Sequence, residues 1–404
     1  MKDKPRYLLT RFGGKGDALF LTAVAHQLAK HYTVDVAVNE SAISLLENNP
    51  DIDTLYPTRR MGPPPMQKNV KNGHPMDMVL IDGDWVSVES LYSRYKTEDA
   101  VRPLNVTNYR FVIESNSMHP DICGSMNSNY INTYDQHLGW AGVDPNKIPD
   151  AEKRPYYYTT AEERKWADSV FENLKRPIVM VQTFASSPAR TYFRLSELVN
   201  KLTPQVGTLL VWYANHWQIG NGGLPAPEGI DPMRATAAMI EKADLLISAD
   251  TCVSHLAEAM NTQHVTYYST VPAWCRSKYY SNEITVDAEV KYMGNICKCS
   301  IIARDCPRRQ KEAWDNLTER ERSLIRWLKP EHKERLGLTW VPAPDPGPPG
   351  HERFGTSPQG FDTAVQAAAT KYDGDRQQEA YCIQSLDLLP VSLAAIKSLE
   401  VDNG

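Results

Sequence analysis

The stretch from Asp244 to Met260 constrains this chain more than any other. Asp244-Leu-Leu-Ile-Ser248 is an apolar run ending in a polar stop, which predicts a short buried strand. Ala249-Asp250-Thr251 predicts a turn. From Val253 onward the apolar residues Val253, Leu256, Ala257 and Met260 fall at helical spacing, so a helix is expected there. A strand end that feeds a helix start is the corner where open α/β sheets bind ligands. The first amides of the helix and its dipole favour an anion at that corner. Asp250, Thr251, Ser254 and His255 would ring it. The same residues also suit a plain helix cap, since Asp and Thr are good N-cap residues.

A second corner of the same kind lies near the start of the chain. Tyr7 to Phe12 reads as a strand, Gly13-Gly14-Lys15-Gly16-Asp17 as a glycine-rich turn, and Ala18 to His31 as a helix. Glycines at 13, 14 and 16 let backbone pass close to a ligand. The turn is neither a phosphate-binding loop of the Walker type nor a complete dinucleotide fingerprint. Leu19 stands where a third glycine belongs, and no Ser or Thr follows Lys15. A tight turn with Asp17 capping the helix is the plainer reading.

The rest of the chain keeps an α/β rhythm. Strands are expected at 33–38, 52–56 and 78–81, with a short helix at 41–48, a proline-rich loop at 59–75 and a helix beginning at Ser87. That order predicts a parallel sheet. The Asn- and Tyr-rich region 103–149 reads as loops and short helices. Beyond a proline-flanked boundary at 148–158, helices are expected at 160–174, 195–202 and 234–243. Strands are expected at 177–181, 208–213 and 265–268, with a loop over 182–191. These readings divide the chain into four parts. They are an N-terminal Rossmann-like domain over 1–158, a second over 159–330, a Pro/Gly-rich linker over 331–361 and a tail with a possible helix over 362–404.

Composition narrows the classes. With 404 residues, 42% of them hydrophobic, the chain can hold two full cores. No run of eighteen apolar residues occurs and no signal-peptide core opens the chain, so a cytoplasmic protein is expected. A net charge of −5 argues against a broad nucleic-acid surface. A basic loop around Arg59, Arg60, Lys68 and Lys71 reads first as solvated surface. Seven cysteines at irregular spacing do not make a disulfide framework. Cys297, Cys299 and Cys306 are too cramped for a standard four-ligand zinc site. Reduced thiols are the plain reading there, with metal binding left open.

Three blocks in order carry a family resemblance. They are Phe12-Gly-Gly-Lys-Gly-Asp-Ala-Leu-Phe-Leu-Thr-Ala-Val24, with Val34–Val38 and Leu46–Asp53 after it; Phe184-Ala-Ser-Ser-Pro-Ala-Arg-Thr-Tyr-Phe193; and Ala238 to Ala259. Together they resemble glycosyltransferase family 9, the ADP-heptose:lipopolysaccharide heptosyltransferases of GT-B fold. The resemblance implies two Rossmann-like α/β domains facing across a cleft, here with a C-terminal extension. It implies an inverting, metal-independent sugar transfer with no cofactor. A nucleotide sugar, ADP-linked by preference, would be the donor. Asp17 falls where the family has its general base, and Arg190 where it has a cation on the leaving diphosphate. Thr251, Cys252 and His255 fall at its diphosphate contacts. Gly13, Gly14, Gly16, Ser186, Ser187, Asp250 and Ser254 complete the expected donor site. Cys252 departs from the family's usual glycine, and the 214–223 segment departs from its nucleoside pattern.

The acceptor is expected to be a hydroxyl on a glycan or lipopolysaccharide core, with a modified nucleic-acid base less favoured. Two other classes stay open at this level. One is a GT-B epimerase or hydrolase acting on the nucleotide sugar alone; the other is a non-catalytic ligand-binding relative.

Overall fold

A computed structural model describes residues 4–11, 14–61, 76–81, 83–87, 104–105, 132–185, 190–192, 194–213, 216–220, 222–288, 291–292, 295–296, 314–319, 321–322 and 386–402. Its two main sheets are built from the two halves of the chain.

The first sheet holds β1 (Arg6–Arg11), β2 (Thr33–Asn39), β3 (Thr54–Met61), β4 (Met76–Ile81), β5 (Asp84–Ser87) and β6 (Leu104–Asn105), in the order β5-β4-β3-β2-β1-β6. Strands β6, β1, β2 and β3 run parallel, whereas β4 and β5 are antiparallel additions at one edge. The sheet is therefore mixed rather than parallel. Ser87 ends a strand instead of opening a helix, and Arg59 to Met61 extend β3 rather than beginning a loop. Only two residues separate β4 from β5, a connection that permits only antiparallel pairing.

The α1 helix (Lys15–Ala29) follows β1, and α2 (Ile43–Leu46) follows β2. Leu21, Val24, Ala25 and Leu28 of α1 pack on Leu9, Val34, Val36 and Val38 of the sheet. Helix α3 (Thr133–Trp140) closes the same core through Leu138, and its start is capped by Asn132.

The second sheet contains β7 (Ile178–Gln182), β8 (Thr208–Tyr213), β9 (His216–Ile219), β10 (Gly222–Leu224), β11 (Leu245–Ala249), β12 (His264–Tyr268) and β13 (Glu283–Asp287). Its order is β10-β9-β8-β7-β11-β12-β13, parallel except for the β8-β9-β10 edge. Around it stand α4 (Ala161–Phe171), α5 (Leu195–Leu202), α6 (Pro232–Lys242), α7 (Cys252–Ala259) and α8 (Ala273–Ser277).

Both faces of this sheet are covered, which explains why β7 and β11 read as unbroken apolar runs. Val179, Val181, Leu245 and Ile247 meet α5 on one face. Ile178, Met180 and Leu246 meet α4, α6 and α7 on the other. Leu388, Ala395 and Ile396 of a last helix, α9 (Leu388–Asp402), join the first of these clusters. Part of the C-terminal tail thus belongs to the second core.

Leu19 of α1 and Leu45 of α2 reach into the core of the second half. Arg234 of α6 reaches the other way. It is buried, paired with Glu163, and donates to the carbonyls of Ser44 and Tyr158 at 2.7 and 2.9 Å.

Candidate active site

Each sheet has one place where the chain reverses its direction of growth. The first sheet grows from β1 through β2 to β3, and β6 then pairs on the other side of β1. The second grows from β7 to β8, and β11 then pairs on the other side of β7. Ligand crevices form at the carboxyl ends of strands at such reversals. Here those ends are Arg11 and Gln182, with Asp250 just past β11, and all three are buried. Gln182 and Asp250 line one cleft of about 490 Å³ together with Gly14 to Asp17.

The two helix starts meet across that cleft. A Cβ placed on Gly16 would lie 3.5 Å from the amide nitrogen of Cys252 and 3.3 Å from His255 Cδ2. The positive ends of α1 and α7 therefore converge on one space, which favours an anion there.

Asp17 sits in the first turn of α1. One carboxylate oxygen accepts from the Gly14 amide at 2.9 Å, and the other lies 2.8 Å from Arg11 Nη2. Burial works to raise its pKa, but Arg11 and Arg276 outweigh it and hold the carboxyl below the usual range. Asp17 thus stays ionised at neutral pH. Arg276, on α8, stacks over the Phe20 ring at 5.7 Å, donates to Thr133 Oγ1 at 3.3 Å and lines the cleft.

On the opposite wall, Arg190 donates to the Asp250 carbonyl at 3.0 Å, and its guanidinium lies 3.9 Å from the Asp250 carboxylate. Thr251 caps α7, accepting from Val253 N at 3.4 Å. Cys252 follows as the first helical residue. Burial pushes its thiol up to about 11, so it remains protonated. His255 lies one turn on, against the Phe20 ring at 4.6 Å, with Tyr280 OH 2.8 Å from Nδ1. Burial lowers its pKa to about 4, leaving the ring neutral. Phe184, Trp212 and Met233 add apolar side chains to the lining of the cleft.

Of the residues expected from the sequence, Gly14, Gly16, Asp17, Arg190, Asp250, Thr251, Cys252 and His255 all line this cleft. Ser254 does not: it is fully buried, and its Oγ donates to the Thr251 carbonyl at 2.8 Å. Gly13, Ser186 and Ser187 lie outside the described residues, as do Cys297, Cys299 and Cys306. Lys15, Arg11 and Arg276 were not anticipated. Arg11 had a local signal, being the last described residue of a strand before a glycine-rich turn. Arg276 had none, because only the packing of α8 against Asn132 and Thr133 brings it to Asp17. On the basic loop, Arg59 pairs with Glu40 at 2.6 Å, while Lys68 and Lys71 are outside the described residues.

Residues 232–289, which span α6 through β13 and hold the α7 corner, match the model of glycosyltransferase family 9 (heptosyltransferase). Over that stretch the chain is similar to family 9. No curated protein matches it. Among solved structures, the chain is similar to a family 9 glycosyl transferase from Veillonella parvula. That match has 13% identity over 75% of this chain and 94% of the other, with a TM-score of 0.46. It is also similar to Escherichia coli ADP-heptose lps heptosyltransferase II, at 12% identity over 76% and 96%, with a TM-score of 0.46. A third similarity is to the iron-containing dodecameric glycosyltransferase TibC of enterotoxigenic E. coli. Identity there is 14% over 73% of this chain and 65% of that one, with a TM-score of 0.41.

Among the described residues, no cluster of His, Cys, Asp and Glu is arranged to hold a metal ion. Among the same residues no helix is long and apolar enough to cross a membrane.

Proposed function

We propose that this chain is a glycosyltransferase, moving a sugar from a nucleoside-diphosphate donor to an acceptor hydroxyl with inversion at the anomeric carbon. The observation that carries the reading is the distribution of charge in the cleft. Lys15, Arg190 and Arg276 line it against the carboxylates Asp17 and Asp250, and Arg11 stands behind Asp17. Two helix starts add their partial positive charge. Such a site suits a diphosphate whose charge grows as it departs.

In this reading the acceptor oxygen attacks the anomeric carbon from the side facing Asp17. The bond from that carbon to the diphosphate oxygen breaks on the opposite side, and the electron pair leaves with the diphosphate. Arg190 and the start of α7 receive it, a guanidinium being suited to paired phosphate oxygens. The acceptor proton passes to Asp17. A carboxylate held below the usual range is a weak base, so it takes that proton late, once bond formation has made the oxygen acidic. The step needs no metal and no cofactor. An ADP-sugar is the donor favoured by the motif resemblance, and a glycan hydroxyl is the favoured acceptor.

A thermal-shift screen with ADP-, GDP-, UDP-, dTDP- and CMP-sugars tests the donor site, with Arg190→Ala beside the wild type. A ligand at a hundred times its dissociation constant stabilises by about 2.7 kcal/mol. Stabilisation of the wild type by one nucleotide class, lost in Arg190→Ala, supports the reading. No stabilisation by any of them removes it.

A further inference from the structure

A line of hydrogen bonds crosses from α3 of the first half to α7 of the second. Tyr134 OH lies 2.8 Å from Tyr280 OH, and Tyr280 OH lies 2.8 Å from His255 Nδ1. Tyr134 is fully buried against Phe20, with ring centroids 5.0 Å apart, and Tyr280 is half-buried beside it.

The direction of this line follows from counting donors. A buried hydroxyl must use its hydrogen, and among the described residues the partner of the Tyr134 hydroxyl is Tyr280. Tyr134 therefore donates, and Tyr280 accepts. The Tyr280 hydrogen is then free to go to His255, whose Nδ1 becomes the acceptor. A neutral imidazole with Nδ1 accepting carries its hydrogen on Nε2. Among the described residues, the reverse direction would leave the Tyr134 hydrogen without an acceptor. His255 Nε2 faces the cleft, 4.0 Å from the nearer Asp250 oxygen, which is beyond hydrogen-bond reach.

We propose that Tyr134 and Tyr280 are positioning residues whose hydroxyl relay fixes His255 as the Nε2–H tautomer, so that it presents a neutral N–H donor to a ligand oxygen in the cleft. The proposal rests on the reading above, because the oxygen it meets is one on the donor's diphosphate or sugar. A neutral donor of fixed direction is useful there. It contributes a hydrogen bond without adding a cation beside Arg276, and it does not compete with Asp17 for a proton. The charged and titratable groups around the ring are Asp250 on its own side, Asp17 from α1, Arg276 from α8 and His264 from β12.

The relay also ties His255 to both halves of the chain. Phe20 of α1 holds one face of the ring, and the hydroxyl of Tyr134, from α3, sets its hydrogen through Tyr280.

The test is the tautomer itself, read from two-bond proton–nitrogen correlations on ¹⁵N-histidine-labelled protein, with His255→Gln assigning the signal. The wild type should show an unprotonated Nδ1, a protonated Nε2 and no titration between about pH 6 and 8. Tyr280→Phe removes the donor to Nδ1 and should give a mixture of tautomers. Tyr134→Phe removes the donor that commits Tyr280 to His255, and should give some Nδ1–H form, though less than Tyr280→Phe does. A protonated Nδ1 in the wild type, a titration in that range, or an unchanged signal in Tyr280→Phe overturns the proposal.

Calorimetry with ADP alone reads the consequence. Tyr280→Phe should weaken ADP about tenfold, with a smaller effect from Tyr134→Phe. Equal affinity in the wild type and Tyr280→Phe overturns the donor role of His255. If the wild type binds no nucleotide at all, the proposed function fails. The tautomer measurement still decides the relay in that case.

Discussion

Gly16 and His255 are in near contact across the cleft: a Cβ on the glycine would stand 3.3 Å from Cδ2 of the imidazole. The two residues come from different sheets and are brought together by the starts of α1 and α7. Their closeness sets the width of the cleft between Asp17 and the α7 corner.

Enlarging Gly16 should therefore separate the two helices. An added methyl at this position gains helix propensity, worth about 1 kcal/mol, and loses it again to the tight contact with His255. Gly16→Ala is expected to be close to neutral in stability. Gly16→Val adds bulk that neither helix can absorb and should cost about 1–3 kcal/mol in denaturant unfolding. It should also reduce nucleotide binding more than Gly16→Ala does.

Arg11 keeps Asp17 ionised through a 2.8 Å contact. Replacing it with methionine removes that charge and leaves burial to raise the carboxyl. In Arg11→Met the acid limb of the transfer rate should move to higher pH. Arg276→Met should move it in the same direction. Asp17→Asn should remove transfer while leaving donor binding largely intact. A pH–rate profile with an unmoved acid limb in both arginine variants would separate them from Asp17.

Stability should fall as pH drops from about 6.5 to 4. Burial lowers His137 and His255 to about 4, so each is neutral in the folded chain while its unfolded counterpart is protonated. The unfolded chain then binds more protons across that window, and stability rises with pH through it and levels off above. His264, also lowered to about 4 by burial, is 3.7 Å from Glu283, which burial raises to about 7. That pair holds one proton folded and one unfolded over most of the window, so it drops out. Two net protons give a slope of about 3 kcal/mol per pH unit. Asp17, held below its ordinary value, loses its own contribution only at lower pH. Urea unfolding at half-unit pH steps measures the slope, and His137→Gln should halve it.

Arg234 joins α6 to α2 through the Ser44 carbonyl, and its charge is matched by buried Glu163. Removing one partner leaves the other charge buried alone. Arg234→Met is expected to destabilise by about 3–5 kcal/mol, and pairing it with Glu163→Met should recover much of the loss. Unfolding midpoints of the three proteins check this.

Much of the second half was legible because its strands and helices bury continuous or periodic apolar faces. Leu195–Leu202 and Thr208–Tyr213 form at the boundaries that pattern predicts. The β9-β10 hairpin was missed: His216-Trp-Gln-Ile219 alternates over four positions only, and its partner Gly222–Leu224 has two glycines and almost no hydrophobic pattern. The antiparallel edge β4-β5 was missed for a related reason, since apolar pattern does not encode strand direction. Asp17 and the α7 corner were readable because each sits at a helix start, and Arg190 through the 184–193 motif. Arg276, Tyr134 and Tyr280 were not, since residues more than a hundred positions apart meet at one hydrogen bond. The 158/159 division remains a proposal, with Leu19, Leu45 and Arg234 packing across it.

The most direct test is a structure of the chain with an ADP-sugar bound. The account predicts the diphosphate at the Thr251–Cys252 start of α7, within hydrogen-bond distance of Arg190. The anomeric carbon should be turned toward Asp17, with room for an acceptor oxygen between them. A nucleotide bound away from this cleft, or with its diphosphate beside Asp17 and its sugar turned from it, would contradict the account.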